Sequence, residues 1–389
     1  MLVAICNIVK LGEIASITSS KRIFAKEYQT EGIPFYRGKE IIEKHNGNDV
    51  STELYISRDR YEDIRAKFDV PKPKDILLTS VGTLGVPWLV DESEFYFKDG
   101  NLTWIRCNEK TIPEFLYLWF NSSEAQNQIK TMCIGSTQKA LTIEILKKFD
   151  VTLPPLEMQK KICAIINPIS NKIKTNTMIN RNLSEQAETL YRKMIFDDSG
   201  EHKECVLSDI ANIVMGQSPK GDTYNEDGDG AVFYQGRAEF GERFPTRRLF
   251  TTDPKRMAKE NSVLMSVRAP VGDINVAYEE CCIGRGLCSV SSKDNHQSFI
   301  LYTMYSLKDK LDVYNGEGTV FGSINKDSMN CMTIQVPNKE LMDKFEEIVR
   351  PMDAMIKANY DENCRLVAMR DRLLLKLMSG ELDVSEVDI

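Results

Sequence analysis

The chain has 389 residues, of which 42% are hydrophobic and 28% are charged, a composition typical of soluble globular proteins and sufficient for two domains. Its apolar runs are shorter than the ~20 residues of a membrane-spanning helix, and the first residues lack the basic start of a secretion signal, so we expect a cytoplasmic protein without membrane association. A net charge of −7 excludes a chain that is basic on all sides, but it is compatible with a local basic face for nucleic acid.

The first 150 residues predict a mixed α/β domain that is rich in strand. Strands are indicated by ILLTSVGTLG (76–85), VPWLV (86–90) and EFYFKDGNLTWIRC (94–107), which are short β-branched and aromatic runs interrupted by Gly and Asp. The segment IPEFLYLWFNSSEAQNQIKTM (112–132) predicts helix.

Residues 151–199 predict a long helical segment, because apolar residues and two asparagines recur at steps of three and four. We expect Pro168 to divide it into a short first helix and a longer second one, and the Ser-Gly pair at 199–200 to end it. The predicted seam contains Ile162, Ile166, Ile169, Ile173, Asn176, Asn180, Leu183, Ala187, Leu190 and Met194.

The second half of the chain repeats this plan, and a repeat of this kind determines the fold. Residues 135–196 align without a gap to residues 318–379, at a constant offset of 183. Further upstream, LGEIASI matches LSDIANI, FYRGK matches FYQGR, and ILLTSVGTLG matches VLMSVRAPVG. The sequence therefore predicts an α+β protein in which two pseudo-twofold-related α/β domains are separated by two long antiparallel helices that form a coiled coil.

The second helical segment carries a seam of the same kind, interrupted by Pro351. If the two helices run antiparallel, one register pairs Asn176 with Asn363 and Asn180 with Asn359, and buried asparagines of this kind restrict register. A register centred near Leu183 and Leu366 is also compatible, and the asparagines could instead face solvent or a third helix. The second seam contains Phe345, Val349, Met352, Ile356, Asn359, Asn363, Leu366, Arg370, Leu373 and Leu377.

The sequence shows no catalytic or metal-binding motif. It lacks a GxxxxGK[ST] phosphate loop, none of its three histidines lies beside a nucleophile, and its ten cysteines include no CxxC pair. The segment NEDGDG (225–230) begins like a calcium loop, but its twelfth position is Gly236 rather than an acid. We therefore expect no catalytic residue, no metal and no cofactor on this chain.

Two stretches resemble the specificity (S) subunit of type I restriction–modification systems. GSTQKALTIEILKKFDVTLPPLEMQKKI (135–162) is similar to the family's glycine segment and its entry into a helix, and KIKTNTMINRNLSEQAETLYRKMIF (172–196) is similar to that helix. The resemblance covers nearly the whole chain. The second half departs from it mildly, since VPNKELMDKF lacks the second proline and the glutamine, and the glycine segment reads GEGTVFGSI.

The resemblance implies a DNA-reading subunit without chemistry of its own. Residues 1–150 and 200–336 would be target recognition domains, and residues 151–199 and 337–389 conserved helical spacers. The implied partners are double-stranded DNA, two modification subunits that methylate adenine, and restriction subunits that translocate and cleave DNA. S-adenosylmethionine, ATP and Mg would then be bound by those partners.

Candidate DNA-binding residues were chosen as polar or basic side chains on loops, supported by matching positions in both halves. A helix over 168–196 would span about 43 Å, which suits half-sites about 34–36 Å apart on one face of B-DNA. The candidates are Arg37, Lys39, Ser80, Thr83, Ser136, Thr137, Gln138, Lys139, Arg237, Arg243, Arg247, Arg248, Ser266 and Arg268.

Three other functions are compatible with the sequence alone. A coiled-coil scaffold without DNA specificity would show no effect on methylation, and an enzyme with an unrecognised active site would show activity from this chain by itself. The third is the target-recognition subunit of a type II methyltransferase–nuclease, which the neighbouring genes would distinguish.

Overall fold

The structure is a computed structural model that describes residues 7–132, 140–196, 202–315, 322–382 and 384. The chain divides into two compact units: unit 1 comprises Met1–Asn176 and Asp361–Ile389, and unit 2 comprises Thr177–Tyr360. Unit 1 is therefore built from two separate stretches of the chain.

Short strands make up much of unit 1, as its β-branched and aromatic runs predict. Their bounds are β1 (Asn7–Lys10), β2 (Ala15–Thr18), β3 (Ile33–Tyr36), β4 (Tyr55–Ile56), β5 (Ile76–Thr79), β6 (Pro87–Leu89), β7 (Tyr96–Phe97), β8 (Leu102–Cys107) and β9 (Asp150–Leu153). Strand β5 is buried along its whole length, which places it at the centre of the core.

Among the described residues between 11 and 196 lie seven α-helices, and all except the last, α7, are short. Ser57 caps α3 by accepting a hydrogen bond from the amide of Arg60 at 3.2 Å, as expected for an N-cap serine. Their bounds are α1 (Leu11–Ile14), α2 (Gly38–His45), α3 (Arg58–Phe68), α4 (Pro113–Phe120), α5 (Ser123–Met132), α6 (Ile143–Lys147) and α7 (Leu156–Phe196).

Unit 2 follows a similar order of elements. Its strands are β10 (Lys203–Val206), β11 (Ala211–Met215), β12 (Tyr224–Asn225), β13 (Ala231–Tyr234), β14 (Phe250–Thr251), β15 (Met257–Ala258), β16 (Val263–Ser266), β17 (Ile274–Val276), β18 (Cys281–Ile283), β19 (Leu287–Ser292) and β20 (Thr333–Val336). Its helices are α8 (Leu207–Ile210), α9 (Gln297–Ser306), α10 (Lys308–Asp312), α11 (Lys326–Asn330) and the first half of α12 (Lys339–Met378).

The sheets of the two units have the same topology. Unit 1 has an antiparallel sheet in the order β2-β8-β5-β6 and unit 2 has one in the order β11-β19-β16-β17. A second sheet contains a parallel pair in each unit, β3 with β7 and β13 with β18. The terminal strands pair as β1 with β9 and β10 with β20. The four-stranded sheet, the parallel pair and the terminal pair are therefore repeated, whereas the second sheet has three strands in unit 1 and five in unit 2. The predicted mixed α/β fold is confirmed.

The α/β part of each unit is joined to a long helix of the same unit by a buried polar side chain. Gln159 of α7 accepts a hydrogen bond from the amide of Ile112, before α4, at 2.9 Å. Glu346 of α12 accepts from the amides of Ser298 and Phe299, in the first turn of α9, at 3.1 and 3.3 Å. Both satisfy amides that the start of a helix leaves without a partner.

The expectation that proline divides the helical segments was wrong. Helix α7 continues through Pro168 and α12 continues through Pro351. Both prolines lie on exposed positions, where water can bind the carbonyl group that loses its helical donor. Burial of Ile162 and Ile166 on the opposite face adds about 1.5–3 kcal/mol per side chain, which offsets the cost of the proline.

The predicted seam needs one correction near the end of α7. Leu190 is exposed, whereas the adjacent Tyr191 is buried with its ring against Phe299 and Phe345. A straight helix has 3.6 residues per turn, so a strict seven-residue pattern drifts around it. The large aromatic side chain at position 191 fills the seam instead.

Candidate nucleic-acid interface

In unit 1 the start of helix α2 fixes the first two candidates. Arg37 precedes the helix, and the carboxylate of buried Glu40 accepts hydrogen bonds from its backbone amide at 2.7 Å and from its guanidinium at 2.8 Å. The hydrogen bond to Glu40 raises the pKa of the Arg37 guanidinium. Lys39 is more exposed and lies 3.7 Å from Glu43. Arg37 is thus held in one orientation and Lys39 points to solvent.

The loop after strand β5 carries Thr83. The loop is closed at its base by Thr79, whose hydroxyl accepts from the amide of Val86 at 2.9 Å and whose carbonyl accepts from Gly85 at 2.8 Å. Gly85 has φ of +77°, and a Cβ there would lie 2.5 Å from Ile129, so this position requires glycine. The closure leaves Val81, Gly82 and Thr83 exposed at the tip.

These two segments face each other across an open cleft of about 590 Å³. Arg37, Lys39 and Thr83 all line it, so the structure brings together candidates from separate motifs. Three asparagines that sequence reasoning missed, Asn46, Asn48 and Asn101, also line the cleft. No local motif marks them, because α2 and the turn before β8 bring them together only in the fold.

Unit 2 builds the same closed loop after β16. The hydroxyl of Ser266 accepts from the amide of Asp273 at 2.9 Å, and its carbonyl accepts from Gly272 at 3.0 Å. These bonds match those of Thr79 in unit 1. Arg268 is exposed at the tip, at the position that Val81 holds in unit 1.

A third segment pairs with each tip. Val81 forms a β-bridge with Ala140, and Arg268 forms one with Ser323. Ala140 directly follows the candidates Ser136, Thr137, Gln138 and Lys139, which lie outside the described residues.

Three further candidate arginines of unit 2 are engaged in ion pairs. Arg237 pairs with Asp273 and Arg247 with Glu279. Arg248 contacts Glu239 at 2.5 Å and Glu226 at 3.9 Å. All three side chains are about half exposed. They can approach DNA, but each starts from a partner that compensates its charge.

Three candidates are buried and belong to the scaffold rather than to an interface. Ser80 lies in the core with its hydroxyl 2.6 Å from that of Thr103, and Ser266 closes the turn described above. The Arg243 side chain is only 10% exposed and pairs with Asp353. Loop position and polar chemistry alone predict contact for all three, and no sequence pattern indicates that the fold covers them.

The long helices pair through their asparagines in both units. In unit 1, Asn176 donates to the side-chain oxygen of Asn363 at 2.9 Å, and Asn363 donates to the carbonyl of Ile173 at 3.4 Å. In unit 2, Asn359 donates to Asn180 at 2.8 Å and Asn180 donates to the carbonyl of Ile356 at 3.2 Å. The structure thus has the first of the two registers considered above, with equivalent bonds at positions related by the offset of 183.

One contact beside the asparagines differs between the units. Asn176 also donates to Glu362 at 2.7 Å, and Lys172 lies 3.3 Å from the same carboxylate. The hydrogen bond from Asn176 lowers the pKa of Glu362. The equivalent positions in unit 2 are Met355 and Ile179, both exposed.

His, Cys, Asp and Glu side chains occur throughout the described residues. Among them, no group of three or more His, Cys, Asp and Glu side chains is placed to hold a metal ion. Burial raises the pKa of the Cys281 and Cys288 thiols to about 12, so both stay protonated near neutral pH and are poor nucleophiles. No helix in the described ranges is long and apolar enough to cross a membrane.

Comparison with known proteins agrees with the repeated fold. A family model described as the type I restriction modification DNA specificity domain matches residues 6–185 and 200–362. The two matches correspond to the two copies of the repeat, and they define the protein as a DNA sequence-recognition subunit. The chain belongs to the family of type I restriction–modification DNA specificity subunits. Neither a scaffold without DNA specificity nor a type II subunit is favoured by this match.

Individual relatives point to the same family. One, from Methanocaldococcus jannaschii, is named as a candidate MjaX type I restriction enzyme specificity subunit; it is 30% identical over 314 residues, covering 75% of this chain and 73% of its own length. The type I restriction enzyme HindI specificity subunit of Haemophilus influenzae is 22% identical, covering 70% and 78%. The solved S subunit of M. genitalium has the same fold, with a TM-score of 0.61 at 15% identity over 96% of both chains.

Proposed function

We propose that the chain reads a bipartite DNA target, one half-site per recognition domain, and directs adenine methylation and restriction by partner subunits. The observation that carries this proposal is the loop site built twice on matching strands. In each unit a loop closed by Thr79 or Ser266 lies beside the segment after β3 or β13 and presents polar side chains at its edge.

The side chains at these edges suit the reading of base pairs. Arginine can bond guanine through two hydrogen bonds, asparagine can do the same with adenine, and lysine neutralises phosphates. In unit 1 Arg37 and the asparagines of the cleft would contact bases, with Lys39 on the backbone. In unit 2 Arg268 at the loop tip and Arg237 beside it would take these roles, with Asp273 released or shared on binding.

Catalysis belongs to other subunits in this proposal. The chain selects the DNA sequence, while S-adenosylmethionine, ATP and Mg are bound by its partners. Because the substrate is DNA, the chain and its partners would act in the cytoplasm.

The exposed faces of the long helices would bind two modification subunits. In unit 2 a groove of about 400 Å³ is lined by five apolar residues and two lysines: Leu190, Met194, Leu341, Phe345, Ile348, Lys193 and Lys344. In unit 1 Met369 and Leu375 are exposed on α12. Apolar side chains in such number on a helix pair are typical of protein interfaces. A restriction subunit would join through the modification subunits.

The test is a map of N6-methyladenine across the host genome, with this gene intact, deleted, and restored. Loss of one split motif on deletion, with a fixed gap and methyl groups on both strands, is the expected result. Restoring the gene should bring the same motif back. If the pattern is unchanged while the neighbouring methyltransferase is active, the chain does not select DNA and the scaffold function becomes the better explanation.

A further inference from the structure

In unit 2 the tip of the loop closed by Ser266, with Arg237 beside it, is named the recognition edge. The loop between β13 and β14 leads away from this edge and packs on helix α12. We name residues 241–248 the clamp loop. The side chain of Arg243 is buried and pairs with Asp353 of α12. The hydroxyl of Tyr302 donates to the same Asp353 oxygen at 3.1 Å, and the guanidinium lies 5.7 Å from the Tyr302 ring. One carboxylate therefore joins the loop, helix α9 and helix α12.

An aromatic cluster continues this contact. Phe244 is buried, with its ring 4.9 Å from that of Tyr360 on α12 and 5.8 Å from that of Tyr278. The Tyr278 and Tyr360 rings are themselves 5.7 Å apart. Such tilted and edge-to-face pairs add specific geometry to the burial of apolar area.

The clamp loop is also fastened to the recognition domain. The carbonyl of Arg243 accepts from the amide of Val276 in β17 at 2.9 Å. The side chain of Asn275 donates to the carbonyl of Gly241 at 2.8 Å. Because β17 continues directly from the loop closed by Ser266, the backbone that carries Arg243 is tied to the recognition edge.

Ion pairs surround the buried contact. Arg181 of α7 lies 2.9 Å from Glu242 of the clamp loop, and Lys357 of α12 lies 2.5 Å from Glu260. These outer pairs are partly exposed, so each contributes little to stability. Like the buried pair, however, each outer pair links the recognition domain to one of the two long helices.

We propose that Arg243 and Asp353 are positioning residues that fix the orientation of the second recognition domain on its helices, and thereby set the distance between half-sites that the protein accepts. This inference rests on the proposed function, and it assigns the clamp loop to positioning although the loop belongs to the arginine-rich stretch that suggests DNA contact.

Physical reasons favour orientation over stability as the role of this pair. Burying two charges costs several kcal/mol, and replacing such a pair by apolar residues is often neutral or stabilising. The Arg243 guanidinium contacts one Asp353 oxygen and lies beside the Tyr302 ring. A planar group held from two sides keeps a direction, which lysine or an apolar side chain does not. In a recognition domain with a radius of gyration of about 13 Å, a rotation of ~15° would shift atoms at that distance from the axis by about 3.4 Å, the rise of one base pair.

Within the described residues, the charged and aromatic clamp is a feature of unit 2. The position of α7 equivalent to Asp353 is Ser170, and that equivalent to Tyr360 is Thr177. Neither can form the same charged and aromatic contact. The orientation of the first recognition domain therefore depends on other contacts, among them apolar ones between its core and Leu374 and Leu377 of α12.

The experiment uses the chain assembled with its modification subunits. The double variant Arg243→Met with Asp353→Leu replaces the pair by apolar side chains, and plasmids carry the two half-sites with the natural gap or with one base pair more or fewer. We expect methylation at altered gaps, relative to the natural gap, to rise by about tenfold, which equals ~1.4 kcal/mol of discrimination, with both half-site sequences unchanged. An unchanged ratio would overturn the proposal.

A matched double variant controls for the loss of an ion pair as such. Arg58→Met with Glu94→Leu removes an exposed pair of unit 1, 2.9 Å apart, and should leave the ratio as in the wild type. If the Arg243 and Asp353 double variant does not assemble, Arg243→Lys decides, because it keeps the charge and loses the planar geometry. A merely structural pair would lower methylation at all gaps equally. If no split motif depends on the chain, the proposed function itself fails.

Discussion

The two units share a four-stranded sheet of the same strand order but distribute their charged side chains differently. In unit 1, Arg37 and Lys39 line an open cleft together with asparagines. In unit 2, the arginine-rich stretch after β13 is paired with acids, and Arg243 is buried against Asp353. A high count of arginines therefore does not locate a basic face, because the fold decides which of them stay available.

The comparison extends to the helices. Both units contain the same asparagine pair, so the register of the helices is specified twice by equivalent bonds. Beside it, unit 1 places Lys172 against Glu362, whereas unit 2 exposes Ile179 and Met355. The seam is thus repeated while the outer face differs between the units.

The largest expected effect tests the one-sided clamp. Asp353→Ala leaves the Arg243 guanidinium buried without its partner, which should lower the free energy of unfolding by about 3–5 kcal/mol. Ser170→Ala at the equivalent position of α7 should change it by less than about 0.5 kcal/mol. Urea titration of both variants measures this. If Asp353→Ala and Ser170→Ala lower the free energy of unfolding by similar amounts, the two units do not differ in this contact.

A smaller effect sharpens the role of the unit 1 cleft. Lys39→Ala removes a charge that is 59% exposed, so it should weaken binding to all sequences alike and reduce the slope of log affinity against log salt by about 0.9. The measurement is DNA binding by the assembled complex at several salt concentrations. Lys110→Ala, at an exposed lysine of unit 1 that does not line the cleft, is the control. If Lys39→Ala and Lys110→Ala have the same slope of log affinity against log salt, Lys39 does not contact the DNA.

The smallest effect concerns pH and unit 1. Burial lowers the pKa of His45, and its Nδ1 donates to the carbonyl of Pro87 at 2.7 Å. As pH falls through the unfolded value of about 6.5, the unfolded chain binds a proton that the folded chain does not, so stability is lost toward acid. Between about pH 7.5 and 5.5, the wild type should lose more stability than His45→Gln. Equal losses would show that this histidine is not held neutral by the fold.

Much of the architecture could be predicted from the sequence because repetition is visible without a structure. The offset of 183 and the spacing of the asparagines indicated two equivalent helices, and an antiparallel pair then places Asn176 near Asn363. Helix continuity through Pro168 could not be predicted, since it depends on the burial of side chains on the opposite face.

The site was less accessible to sequence reasoning. A serine such as Ser80 is equally suited to a base contact and to a core hydrogen bond, and only burial separates the two. Arg243 and its partner Asp353 are 110 positions apart, so no local pattern relates them. Asn46 and Asn101 lacked a motif, and the cleft that unites them exists only after folding.

The loop closed by Thr79 or Ser266 has a consequence for how new specificities arise. Its closure depends on backbone groups, one hydroxyl, and a glycine that a Cβ would bring against Ile129 or Leu311. The residues between differ in side chain while the closure is the same, since they read Val-Gly-Thr at 81–83 but Arg-Ala-Pro at 268–270. If these tips read DNA as proposed, a lineage that exchanges these few residues acquires a different target while the frame that presents them is inherited unchanged.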